Sequence, residues 1–189
     1  MSAAVRNTTV GQFLDDVAAR TPAPGGGGVA AVAVGAAAAL VAMAARFAEG
    51  ELTKLADRAD RIRAEVIPLV EADAEAYGAV LDAYRLPRQQ PDRLEQIATA
   101  LRAAADVPLR IAQAGSEVAT LASRLATQGN RNLVGDAHTA VLLAEGATRA
   151  AAGLVRINAE AGKLDDAWLE HAGTYLSAAR DAAASLPAH

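Results

Sequence analysis

The chain has 189 residues, of which 52% are hydrophobic and 21% charged, with a formal net charge of −4 and no cysteine. That length suits one domain with a substantial core, and the composition excludes disorder. The missing cysteines exclude a disulfide framework and thiolate chemistry. An acidic chain (pI about 5.4) with 3% aromatic residues also lacks the basic patch and stacking platform of a nucleic-acid binder.

With so few aromatics, the core must be built from Ala, Val, Leu and Ile. Alanine is the strongest helix former and lets helix backbones approach closely, so the fold class expected is all-α. Met1 to Asn7 has no apolar stretch behind a basic start, does not read as a signal peptide, and points to a cytoplasmic protein. Thr9-Val-Gly-Gln12 has the form of a capping box and opens a short helix ending near Arg20. Thr21-Pro-Ala-Pro-Gly-Gly-Gly-Gly28 then breaks the chain. A nearly all-apolar helix follows from about Gly28 to Ala48, with Gly50 as its stop signal. Val29 to Ala45 is uncharged and near the lower length limit for crossing a bilayer. Its apolarity is mostly Ala and Gly, so a buried core helix is expected and no membrane role. A charged amphipathic helix runs from about Leu52 to Tyr84, kinked at Pro68. A turn at Leu86 to Pro91 leads into a long helix from Asp92 to Thr127, bent near Pro108 and closed by Gly129. Asn130 to Asp136 reads as a loop entering a further helix that runs to about Gly162. Asp165 or Asp166 caps a last helix ending near Leu186. Together these make one helical domain over residues 1–189, a bundle of roughly six helices. An all-round-apolar helix sits awkwardly in a monomer of this size, so a homodimer is predicted.

Four groups of residues bear on chemistry. Gly25 to Gly28 precede a helix N-terminus, where free backbone N–H groups and the helix dipole favour an anion; the alternative is a sharp turn without a ligand. The Lys-Ser/Thr ending of a phosphate-binding loop is missing, which argues against nucleotide hydrolysis. Asn130, Asn132 and Asp136 form a polar cluster in which Asp136 is either a helix cap or a carboxylate tuned for general acid–base work. Arg85, Arg88, Arg93 and Arg102 straddle the Pro87 to Pro91 turn, as a solvated face or as carboxylate-binding groups. His138, His171 and His189 are far apart, and none sits in a zinc or di-iron motif, so no metal is expected. No Gly-x-Ser-x-Gly elbow is present for nucleophilic catalysis.

Phe13-Leu-Asp-Asp-Val-Ala-Ala followed by Thr21-Pro-Ala-Pro-Gly-Gly-Gly resembles the start of the folate cyclodeaminase/cyclohydrolase family. The resemblance continues through Asp73-Ala-Glu-Ala-Tyr77, Leu86-Pro-Arg88, Ala105-Asp-Val-Pro-Leu109, Gly129-Asn130, Gly135-Asp136 and Val155-Arg-Ile-Asn158, in the family's order and spacing. It implies an all-α homodimer with a cleft for a one-carbon-substituted tetrahydrofolate and no metal or redox cofactor. Carried onto this chain, it implies Asp136 as the catalytic proton shuttle and counter-charge for the substrate's cationic amidine. The matching substrate-binding positions are Pro24, Gly25, Gly26, Gly27, Gly28, Arg93 and Asn130. His138, two residues from Asp136, and Asn158 join them. Glycine N–H groups and arginines would hold the anionic glutamate tail. The chain departs from the family pattern at Gly28 and Gly135, where Ser is usual, at Glu51, where Lys is common, and at Leu154, where Asn is common.

The leading functional expectation is a methenyltetrahydrofolate cyclohydrolase, in which water attacks the bridging carbon and 10-formyltetrahydrofolate is released. The alternatives are a formiminotetrahydrofolate cyclodeaminase, the same fold acting on a different cyclic amidine or imine, and a non-catalytic folate-binding or structural homologue.

Overall fold

The computed structural model describes residues 5–186, so Met1 to Ala4 and His189 lie outside the described residues. Seven helices follow one another: α1 (Val10–Ala18), α2 (Gly26–Arg46), α3 (Leu55–Val66), α4 (Leu69–Arg85), α5 (Arg93–Gln128), α6 (Val134–Gly162) and α7 (Ala167–Ala184). Single turns of 3₁₀-helix stand at Val5–Asn7, Gly50–Lys54 and Arg131–Leu133, and no strand occurs among the described residues.

The local signals act as their chemistry dictates. Thr9 caps α1, its side-chain oxygen accepting from the Gln12 backbone N–H. Helix α2 stops at Arg46, short of the predicted stop at Gly50; Gly50, with φ of +59°, instead opens the following 3₁₀ turn in a left-handed conformation that costs glycine nothing. Pro68 does more than kink the charged helix. It separates α3 from α4, because its ring cannot donate to the carbonyl four residues back. That division accounts for seven helices where six were expected. The predicted cap of the last helix is only partly realised: Asp166 occupies the position before α7, but its side chain makes no capping bond.

Helix α2 is the spine. It is long and apolar enough to cross a membrane by length and composition alone, yet most of its length is buried in the bundle. Ala31, Val34, Ala37, Ala38, Val41 and Ala45 are all fully enclosed. Small residues bring its neighbours close. Gly115 of α5 lies where an added Cβ would be 2.4 Å from Thr148 Oγ1 of α6 and 3.2 Å from Val34 Cγ2 of α2, so three helices meet at a glycine. Helices α5 and α6 form a long antiparallel hairpin about the Gly129–Leu133 connection, and a second, smaller core of Val80, Ala83, Ile97, Ala100, Leu101 and Ala104 joins α4 to α5.

Helix α2 runs antiparallel to α6. Its first residue, Gly26, lies beside Leu154 in the latter half of α6. At its other end, the Phe47 carbonyl accepts from Asn130 Nδ2, just ahead of α6. One side of α2 stays uncovered, and it is apolar: Val29, Val32, Ala33, Ala36, Leu40, Met43 and Phe47 are all exposed or half-exposed. Val10 and Leu14 of α1 and Leu143 of α6 extend this surface around a groove of about 660 Å³.

Candidate active site

The break at Thr21 to Gly25 swings the chain so that α2 begins against α4 and α6. Pro22, Ala23, Gly25, Gly26 and Gly27 form one wall of a cleft of about 240 Å³. Asp73, Ala76 and Tyr77 of α4 form the second wall, and Ala104 of α5 with Leu154, Ile157 and Asn158 of α6 closes it. Pro24, within the same turn, packs on the glycines: a Cβ on Gly28 would lie 3.6 Å from Pro24 Cβ.

Asp73 is the charged group of this cleft. Its half-buried carboxylate sits over the first turn of α2, and Oδ2 accepts from the Gly28 N–H at 3.2 Å. The approach is so close that a Cβ on Gly27 would fall 2.1 Å from Oδ1 and 2.4 Å from Cγ. Only glycine at position 27 leaves the carboxylate where it is. Burial raises the Asp73 pKa above the ordinary aspartate value, and the Gly28 N–H opposes that rise in part. Asp73 and Tyr77 bound one of the motifs shared with the family, and the sequence assigns neither of them a role. Their signal was the four-residue spacing, which puts both on one face of α4, with Ala76 as the only side chain between them that lines the cleft.

Asn158 has a structural task in the cleft wall. Pro108 of α5 carries no N–H, so the Ala104 carbonyl four residues earlier loses its helical donor. Asn158 Nδ2 donates to that carbonyl at 2.7 Å and supplies the missing bond across the helix–helix interface.

The predicted site residues fall into separate places. Gly25, Gly26, Gly27 and Asn158 line the cleft, and Gly28 and Pro24 support it. Asp136 does not join them within one chain: it lies in the first turn of α6, 22 residues before Asn158 on the same continuous helix, which is a separation of about 33 Å. His138 is half a turn further on along the same helix. Asn130 is at that distant end as well, its amide donating to the Phe47 carbonyl and its oxygen accepting from the Asn132 N–H. The capping role considered for Asp136 is not realised, because Leu133 holds the cap position before α6 and makes no side-chain capping bond; Asn130 instead caps the preceding 3₁₀ turn. Arg93 lies outside the cleft lining. Its guanidinium donates to the Tyr84 and Leu86 carbonyls and so closes the C-terminus of α4. It also stands about 16 Å along α5 from Ala104. Arg85, on the same turn, pairs with Asp82 at the surface.

The four departures from the family pattern divide the same way. Leu154 lines the cleft, and at Gly28 a Cβ would meet Val70 Cγ1 at 3.3 Å, so that space is apolar. Glu51 and Gly135 belong to the far end, where Glu51 pairs with Lys54 and a side chain at position 135 would meet nothing within 4 Å. Among the described residues, no three His, Asp or Glu side chains come together as a metal-binding group.

An all-helical bundle whose glycine-rich turn presents a helix N-terminus and a half-buried carboxylate to one cleft defines a class of small-molecule enzyme scaffold. The chain matches the formiminotransferase-cyclodeaminase family over residues 9–176, and it belongs to that family. It is 36% identical over 173 residues to the methenyltetrahydrofolate cyclohydrolase of Methylorubrum extorquens, an alignment covering 85% of this chain and 82% of that protein. It is 33% identical over 149 residues to the formimidoyltransferase-cyclodeaminase of Mus musculus, covering 71% of this chain and 27% of that longer protein. The crystal structure of formiminotetrahydrofolate cyclodeaminase from Thermotoga maritima superimposes with a TM-score of 0.86 at 26% identity, covering 96% of this chain and 94% of that one.

Proposed function

We propose that the protein is a cytoplasmic methenyltetrahydrofolate cyclohydrolase working as a homodimer, with no metal or redox cofactor. The observation that carries the activity is the match to the Methylorubrum cyclohydrolase along most of both chains. The substrate is a cationic amidine with an anionic tail. The carboxylate of Asp73 answers the cation, and Gly26 and Gly27, which line the cleft at the start of α2, offer their N–H groups to an anion or to the oxygen that develops charge as water adds.

The geometry of one chain supports the homodimer. A cleft of about 240 Å³ is smaller than the roughly 300–1,000 Å³ of pockets that enclose a drug-sized ligand. Asn130, Asp136 and His138 stand at the opposite end of α2, about 30 Å away. A two-fold axis through the middle of the uncovered α2 face, at the exposed Ala36, would lay two copies of α2 antiparallel. The glycine cleft of one protomer then meets the Asn130–Asp136 end of its partner, and Val29 faces the neighbourhood of Met43. The same pairing covers the apolar stripe and brings Asp136 and His138 to the substrate.

The loss of methenyltetrahydrofolate absorbance beyond its spontaneous hydrolysis tests the activity, with Asp136→Asn as the comparison. An enzyme-dependent excess that the substitution abolishes supports the reading; no excess refutes it. The Thermotoga neighbour favours a second reading, formiminotetrahydrofolate cyclodeaminase, for which ammonia release from the formimino substrate is the discriminating signal.

A further inference from the structure

We infer that Asp73 is a catalytic residue of the cleft, the group that takes a proton from the attacking water and returns it to the departing ring nitrogen. The inference rests on the cyclohydrolase reading and deepens it. Its ground is the construction around one carboxylate. Gly27 is kept free of a side chain where any Cβ would overlap Asp73. The Gly28 N–H fixes Oδ2, and Oδ1 has no hydrogen-bond donor among the bonds described for Asp73, a residue that lines the cleft. Tyr77 is the other titratable group of the lining, and α2, α5 and α6 contribute no charged side chain to it. The charged neighbours lie elsewhere. Glu71 of α4 is engaged by the Val5 N–H at 2.6 Å, and Glu75, Arg102 and Asp106 line a separate hollow with Trp168. A half-buried carboxyl whose pKa burial holds above the ordinary aspartate value is suited to take up and return a proton.

The step balances as follows. Water oxygen bonds to the bridging amidinium carbon, the carbon–nitrogen π pair collapses onto nitrogen, and one water proton passes to the Asp73 carboxylate. The neutral carbinolamine then breaks its bond from that carbon to the ring nitrogen N5. The nitrogen takes the proton from Asp73, and the hydroxyl on the carbon loses its own proton to solvent as the formyl C=O forms. Cation and water give a neutral formyl product and one released proton, and Asp73 ends as it began.

The test is Asp73→Asn in the full chain, read by enzyme-dependent methenyl hydrolysis, thermal melting and the pH profile of kcat/KM. The expected result is a loss of at least about 100-fold, in kcat more than KM, in the range of general acid–base contributions. Melting provides an independent readout. A carboxyl whose folded pKa is raised binds protons more tightly folded than unfolded, so it destabilises the fold as pH climbs from the unfolded value through the folded one, and that cost persists above. Asp73→Asn removes the cost, so its melting temperature at pH 7 is equal to or above the native value, and any advantage disappears at low pH. A variant that stays within a few-fold of native activity overturns the assignment and leaves the cyclohydrolase reading standing. A native protein without any excess hydrolysis overturns both. If the variant does not fold, the native pH profile decides. An acid limb centred above the ordinary aspartate range supports Asp73, and a profile flat through that range refutes it.

Discussion

The bond between Asn158 and the Ala104 carbonyl yields the sharpest stability prediction. Asn158→Ala leaves that carbonyl, on a residue only 7% exposed, with no donor from its own helix because of Pro108 and none from α6. An unsatisfied buried acceptor costs about 1–3 kcal/mol, and for a chain of this size each kcal/mol lowers Tm by roughly 2–4 °C. Pro108→Ala supplies a backbone N–H at the position that normally donates to the Ala104 carbonyl. In that background the Ala104 carbonyl keeps a helical donor, so Asn158→Ala should cost close to nothing for that bond and the two substitutions couple by about 1–3 kcal/mol. Pro108 is fully enclosed, and the void left by its replacement is common to both arms of the cycle and cancels. Urea denaturation of the native protein, the two single variants and the double variant measures the coupling. An equal cost for Asn158→Ala in both backgrounds would refute the claim that Asn158 replaces the bond Pro108 removes.

Three further outcomes follow from the packing. Gly27→Ala displaces the Asp73 carboxylate, and because a side-chain end can swing aside, stability should change by less than about 1 kcal/mol while kcat/KM drops by about 100-fold, the usual effect of a 1 Å misplacement. Gly115→Ala forces a methyl against Thr148, Val34 and the Ala144 carbonyl where three helices cross, so it should destabilise by about 1–3 kcal/mol in thermal or urea unfolding. Gly78 has open space around its missing Cβ in the middle of α4, and Gly78→Ala should stabilise by about 0.4–1 kcal/mol.

The fold was legible because its signals are local. The Thr9 cap, the Pro-Gly break before α2, Gly50, the turn after Leu86 and Gly129 each act through their own backbone chemistry, and each stands at an observed helix boundary. Pro68 was read as a bend, and it is a break, because sequence alone does not say how many hydrogen bonds the chain forgoes around a proline. The site was legible only in pieces. Periodicity places Gly25–Gly28 at a helix start, but it does not reveal that α4 lays Asp73 across that turn, since the contact joins residues 45 apart in sequence. Arg93 shows a second limit of the sequence. A guanidinium beside a turn looks available for a substrate carboxylate, yet two main-chain carbonyls at the end of α4 claim it. The distance between Asp136 and Asn158 was computable in advance from the length of a single helix, and that length is what divides the predicted site into two halves.

The central claim is that each active site joins the glycine cleft and Asp73 of one protomer to Asp136 of its partner. Mixing Asp73→Asn and Asp136→Asn proteins, each inactive alone, and letting their subunits exchange tests it directly. Random reassortment makes half the dimers mixed, each with one intact site, so hydrolysis should recover to about one quarter of the native rate. An Asp136→Asn protein that is active by itself, or a mixture that stays inactive after exchange is verified, would contradict the account.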